Sequence, residues 1–237
     1  MTLKPELLQE ADIAPMLSEI EFEIIKNGSY NRPKGSSIES RWLSTNINFE
    51  HKIDEQGNIW AITDNSSEII YCVEVNHTYS QNRRIIRDGN EIIATNGEWE
   101  MEKDVGISIM LTMIRYNIPG QYLFLRSGSN QSPKVEALTK TARMAMVFWM
   151  DVEKPGRPLA LDPSCYWAEG SICHKFRIFA RDHEYNKQAM HNSPILKSLR
   201  NLWTVVAINP GCGYNAVSIN LLQKMSTYII QQNLIKW

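Results

Sequence analysis

Met144–Met150 reads MAMVFWM, an apolar run without polar alternation. A strand of that composition cannot keep one face in water, so the chain must fold around it as an interior element. The run is also far shorter than the roughly 20 residues a bilayer span requires. Other strand signals surround it: Asn58–Thr63 (NIWAIT), Glu68–Val75 (EIIYCVEV), Tyr122–Leu125, Cys165–Ala168, Cys173–Phe179 and Trp203–Ile208. The first two flank Asp64-Asn65-Ser66-Ser67 and predict a β-hairpin. A second hairpin is expected about Asp88-Gly89-Asn90, between Arg84–Arg87 and Glu91–Thr95. Glu98–Glu102 alternates acidic and apolar residues, as a half-buried strand would.

Helical periodicity is clearest at the two ends. Ile13, Met16, Leu17, Ile20 and Ile24 recur at helical spacing, with Asp12 as the expected N-cap and Asn27-Gly28 as the stop. Ser36 and Glu39 form a capping-box pattern for a short helix carrying Ile38 and Trp42. Further helices are expected over Pro133–Thr141 and after Ser193-Pro194, and a stripe runs through Val217, Leu221, Leu222, Met225 and Ile229. Val105–Tyr116 (VGISIMLTMIRY) is apolar on every side, so periodicity leaves helix and strand both open; Asn117-Ile-Pro-Gly120 ends it either way. These signals predict an α/β (α+β) fold with a mixed, mainly antiparallel sheet flanked by helices. A soft boundary near Arg181 divides residues 1–180 from a C-terminal α/β extension, 181–237, expected to pack on the first part.

A hydrophobic content of 43% with 22% charged residues excludes wholesale disorder. Twenty-five Lys and Arg against twenty-six Asp and Glu leave a net charge of -1, which argues against a broad basic surface for nucleic acid. Cys72, Cys165, Cys173 and Cys212 include no C-x-x-C pair, and Cys173-His174 would point to opposite faces of a strand; no metal site is expected. The N-terminus lacks the basic and apolar segments of a signal peptide. A cytoplasmic protein without membrane contact is the expectation.

Lys103-Asp-Val-Gly106-Ile-Ser108, placed after two helices and a run of strands, resembles the acyl-CoA-binding turn of the Gcn5-related N-acetyltransferase (GNAT) family. Lys140 and Ala142 resemble part of a later family motif, in which Leu138 stands where a tyrosine is usual. The resemblance spans about residues 10–150. It implies an acetyl-CoA or other acyl-CoA cofactor held by Lys103, Val105, Gly106, Ile107, Ser108 and Asn130. Glu98 and Glu100 would then deprotonate an amine substrate, a small molecule or a protein lysine. The same residues also fit an ordinary tight turn and the solvated face of a strand.

Ser129–Met150 is similar instead to the middle of pyridoxamine-phosphate-oxidase-like FMN split barrels, with Ser132, Lys134, Arg143 and Arg115 as phosphate partners. That resemblance implies an FMN-binding oxidoreductase and a strand at Val105–Tyr116. Asn209–Tyr214, a glycine loop between strand and helix, lacks the Lys-Ser/Thr of a P-loop. Leu138 in place of an acid also suits a third reading, a non-catalytic structural or partner-binding component of an oligomer or larger assembly such as a virion.

Overall fold

The computed structural model describes residues 10–28, 45–47, 49–75, 83–95, 101–126, 135, 137–148, 177–179, 195, 198–199, 201–209 and 216–232. Helix α1 spans Glu10–Gly28, followed by strands β1 (His51–Ile53), β2 (Ile59–Ile62), β3 (Ile69–Glu74), β4 (Ile85–Asp88) and β5 (Glu91–Ala94). Helix α2 is Met101–Arg115; β6 (Gln121–Leu125), β7 (Met144–Phe148), β8 (Arg177–Phe179), β9 (Thr204–Asn209) and β10 (Ala216–Ser218) follow, and helix α3 (Ile219–Gln232) comes last.

Seven strands form one sheet in the order β1-β2-β6-β3-β7-β9-β8, and β10-β5-β4 form a small second sheet. The architecture is mixed α/β, with helices flanking a mixed sheet. Its centre is parallel: β3 pairs in parallel with both β6 and β7, and β7 with β9. Antiparallel pairing is left to β1, β2 and β8 on the flanks and to the small sheet. The mixed sheet is as expected, with its parallel pairs gathered at the centre. Parallel neighbours need long crossovers, and α2 is one of them.

The period-2 alternation of the central strands sorts their side chains into two cores. Tyr71, Val73, Tyr122, Phe124, Met146 and Phe148 face α1, α2 and α3. Trp60, Ile70, Cys72, Leu123, Ala145 and Val147 face the other way, against Ile195, Leu199 and Trp203. A sheet covered on both faces explains why β7 carries no polar alternation.

Several local expectations hold. Helix α1 ends at Gly28, although it begins at Glu10, before the Asp12 expected as its cap, and carries Pro15 inside. Pro15 has no N–H to give the Ala11 carbonyl. The β4–β5 hairpin turns at Gly89, whose φ of 58° suits the first position of a two-residue type II′ loop. Of Val105–Tyr116, left open between helix and strand, Val105–Arg115 is helix and Tyr116 begins the turn after it. Asn117, at a φ of 53°, closes α2 in a Schellman arrangement: its N–H donates to the Ile114 carbonyl at 3.0 Å, and that of Ile118 to the Met113 carbonyl at 2.9 Å.

Other expectations are corrected. Strands β2 and β3 do not form a hairpin, because β6 lies between them, antiparallel to β2 and parallel to β3. Met101 and Glu102 belong to α2 rather than to a strand. Val217 is in β10, one strand before the helix whose stripe it was expected to join. The described residues at 137–141 are irregular instead of helical. The Thr139 hydroxyl donates to Gln121 Oε1 at 2.7 Å and that of Thr141 to the Asn65 carbonyl at 2.7 Å, bonds that compete with a helix. The short helix about Ile38 and Trp42 and the strand Cys165–Ala168 lie outside the described residues.

Candidate functional site at the carboxyl edge of the parallel strands

From β3 the chain crosses to β6 on one side, then to β7 and β9 on the other. A sheet whose order reverses in this way opens a crevice at the carboxyl ends of the strands flanking the reversal. Here those ends are Glu74 on β3 and Phe148 on β7, beside Leu125 on β6.

Helix α2 starts at this edge. Gly106 packs so closely that a Cβ built on it would stand 2.6 Å from Phe148 Cγ and 2.8 Å from Val73 Cγ2. That approach brings Lys103 Nζ within 3.4 Å of Glu74 Oε2, with 11% and 20% of the respective side chains exposed. The next residue, Asp104, is fully buried and reaches Arg83 at 4.0 Å. Arg83 Nε in turn donates to the Gly28 carbonyl at 2.7 Å. Two successive residues of α2 therefore ion-pair with the end of β3 and with the segment entering β4. Arg126, just past β6, donates its backbone N–H to Asn58 Oδ1 at 2.9 Å, and its side chain lies over Gly57.

A polar seam continues from this site between α1 and α2. Asn27 Nδ2 donates to Ser108 Oγ at 3.0 Å, and the Ser108 hydroxyl donates to the Asp104 carbonyl at 2.7 Å. Near the far end of α2, Arg115 Nη1 contacts Glu19 and Glu23, each at 2.7 Å. Burial works against the Arg115 charge, but its hydrogen bonds to the two glutamates outweigh that and leave its pKa raised. Burial also pushes the Cys72 thiol up, which makes it inert at neutral pH.

Among the described residues that sequence reasoning singled out, Lys103 alone reaches this edge with a charged group. Val105 and Ile107 are buried in the core, Gly106 is the contact point of helix on sheet, and Ser108 belongs to the α1–α2 seam. Glu98, Glu100 and Asn130 lie outside the described residues, as do Ser132 and Lys134. Helix α2 begins at Met101, so the N–H of Gly106 falls within the intrahelical ladder; only the first four are left over for a phosphate. Arg115 is occupied by Glu19 and Glu23, and Arg143 is exposed and pairs with Glu68 at 3.5 Å. Glu74, Arg83 and Asp104 escaped notice. The adjacent opposite charges of Lys103-Asp104 are their trace in the sequence.

The fold is that of known peptidase-like structures. The chain is similar to a crystal structure assigned as a peptidase/endoglucanase, with a TM-score of 0.61, 9% identity, and 92% of this chain and 100% of that one covered. It is also similar to the dodecameric PhTET1-12s, with a TM-score of 0.55, 8% identity, and 93% and 99% covered. Aminopeptidase APDkam598 from the archaeon Desulfurococcus kamchatkensis gives 0.53, 10% identity, and 93% and 96% covered. No protein-family model and no curated protein sequence matches.

These likenesses overturn the acyltransferase and split-barrel readings, and with them acyl-CoA and FMN as cofactors. The geometry agrees. The split barrel needed a strand where α2 stands, and the acyl-CoA turn falls inside a helix packed on all sides. Among the described residues no group of three or more His, Cys, Asp and Glu side chains is placed to hold a metal ion. Among the same residues no helix is long and apolar enough to cross a membrane.

Proposed function

We propose that the chain is a peptide hydrolase of the aminopeptidase-like kind, working at the carboxyl edge of β6, β3 and β7. The observation that carries this reading is the likeness of fold over nearly the whole length of both chains, in the peptidase/endoglucanase and in the aminopeptidase. The strand-order reversal supports the location, since open α/β sheets bind their ligands there.

Peptide hydrolysis needs an activated water, stabilisation of the developing oxyanion and a proton for the departing amine. At this edge Lys103 supplies positive charge and Glu74 a carboxylate that still reaches solvent. Asp104 and Arg83 neutralise each other and hold the frame rather than the substrate. Glu74 and Asp104 are each drawn to a cation, so the described carboxylates do not form a metal-binding set.

The test is turnover by the purified full chain. Aminoacyl-p-nitroanilides, N-acetylated counterparts and carboxymethylcellulose are each supplied with and without Zn²⁺, Mn²⁺ or Co²⁺. Release of p-nitroaniline in proportion to enzyme is the expected result. New reducing ends from the cellulose without peptide turnover would replace the peptidase reading with a glycosidic one. Silence on every peptide under every condition would end it.

A further inference from the structure

We infer that the outward face of α1 is a docking surface for a second copy of this chain, the two helices running antiparallel about a twofold axis at Ser18. Phe22 starts the argument. At 64% exposure it is the most exposed large apolar side chain among the described residues, while Ile13, Met16, Ile20 and Ile24 of the same helix are buried in the core. It belongs to a row of residues spaced four apart, Glu10, Ala14, Ser18, Phe22 and Lys26, and residues at that spacing are neighbours along one face of a helix. Ala14, Ser18 and Lys26 are exposed with it. The inference stands apart from the hydrolase reading and uses no residue of the carboxyl edge.

The row is complementary to its own reverse. With Ser18 opposite its mate, Phe22 of each copy meets the partner's Ala14, a large side chain over a small one, and the twofold repeats that contact. The short Ser18 side chain on the axis lets the two backbones approach closely. At the ends of the row, Lys26 falls opposite the position that Glu10 holds in the sequence, so opposite charges coincide twice. Lys26 Nζ lies 3.4 Å from both Glu23 Oε1 and Asn46 Oδ1, with 43% of its side chain exposed, and an ammonium group has one more N–H to give a carboxylate. Parallel pairing would instead set Phe22 on Phe22 and Lys26 on Lys26, like charge against like. A row that matches its own reverse names the same chain as its partner.

Sedimentation equilibrium of the full chain over a wide concentration range, with crosslinking by a short bismaleimide, tests this. The parent is expected to dimerise reversibly. Phe22→Glu should weaken the dimer about tenfold or more, because each copy then loses a buried aromatic side chain and gains a charge in its place. Its thermal midpoint, read at a concentration where the parent is monomeric, should not move, since Phe22 is exposed in the single chain. Ser18→Cys should crosslink to its mate well above the background of the parent's own cysteines. Ala14→Cys should not, because a residue eight positions from its mate along the helix pair stands about 12 Å away at 1.5 Å per residue. A parent that stays monomeric at every concentration, or a dimer that Phe22→Glu leaves intact, would overturn the assignment. So would Ala14→Cys crosslinking as readily as Ser18→Cys, which would mark parallel or random encounter.

Discussion

Replacing Gly106 with alanine sets two effects of known sign against each other. A helix interior gains about 0.5–1 kcal/mol when glycine becomes alanine, because the unfolded chain loses freedom. Against this, the new methyl would sit 2.6 Å from Phe148 Cγ, 2.7 Å from Phe148 Cβ and 2.8 Å from Val73 Cγ2. Carbon atoms prefer about 3.5–4.0 Å, so three overlaps of roughly 1 Å must be relieved at once. Phe148 Cβ is rooted in the backbone of β7, in the middle of the sheet, so relief requires α2 to lift away from β3 and β7. Overpacking of this kind costs about 1–3 kcal/mol, and occasionally more. The net expectation is a destabilisation of about 1–2 kcal/mol. With an m-value of about 3 kcal/mol/M, the urea midpoint should fall by roughly 0.3–0.7 M at unchanged slope. Adding Val73→Ala removes one of the three clashing atoms, so the two changes should cost less together than their sum. A Gly106→Ala protein as stable as its parent, or more so, would refute the close approach of α2 to the sheet and with it the placing of Lys103 beside Glu74.

Arg115→Ala should cost about 3 kcal/mol by strand-and-helix unfolding in urea, because it leaves the buried Glu23, 3% exposed in its side chain, beside Glu19 without its main cation. Adding Glu23→Gln should restore a good part of that loss, and an unchanged midpoint in the single variant would contradict the seam. Burial raises the pKa of Cys72 and of Tyr122 in the folded state, Tyr122 despite an opposing hydrogen bond to Thr63. Stability from these groups is complete below their unfolded values, about 8.5 and 10, and is lost as pH rises above them. Unfolding midpoints should decline above about pH 9, and peptide mapping should find Cys72 unlabelled by iodoacetamide until denaturant is added. Trp203 packs edge-on against Trp60, ring centres 6.4 Å apart, in the second core. Trp203→Ala should cost about 3–5 kcal/mol. A midpoint shift within error would show that this face of the sheet is not covered as described.

Features decided within a few residues could be read from the sequence. The stripe Ile13, Met16, Ile20 and Ile24 specifies α1, because one face of a helix must be apolar to pack. Gly89 specifies the β4–β5 turn and Asn117 the end of α2, because both stand where a positive φ is needed. Val105–Ile114 could not be read in the same way. Helix α2 lies between α1 and the sheet with every residue of that stretch buried, and burial on all sides erases the periodicity that separates helix from strand. Strand partners were equally hidden. The turn after β2 has the chemistry of a hairpin, with Asp64 Oδ1 accepting the Ser66 N–H at 2.8 Å, yet β6 enters between the strands it joins. Local turn chemistry fixes a change of direction, whereas pairing depends on which distant strand buries the better face. The candidate site is of this second kind. Glu74 and Lys103 lie 29 positions apart, and nothing in either segment names the other. They meet because Gly106 lets α2 settle onto Val73 and Phe148, a contact that exists only once the parallel strands have assembled.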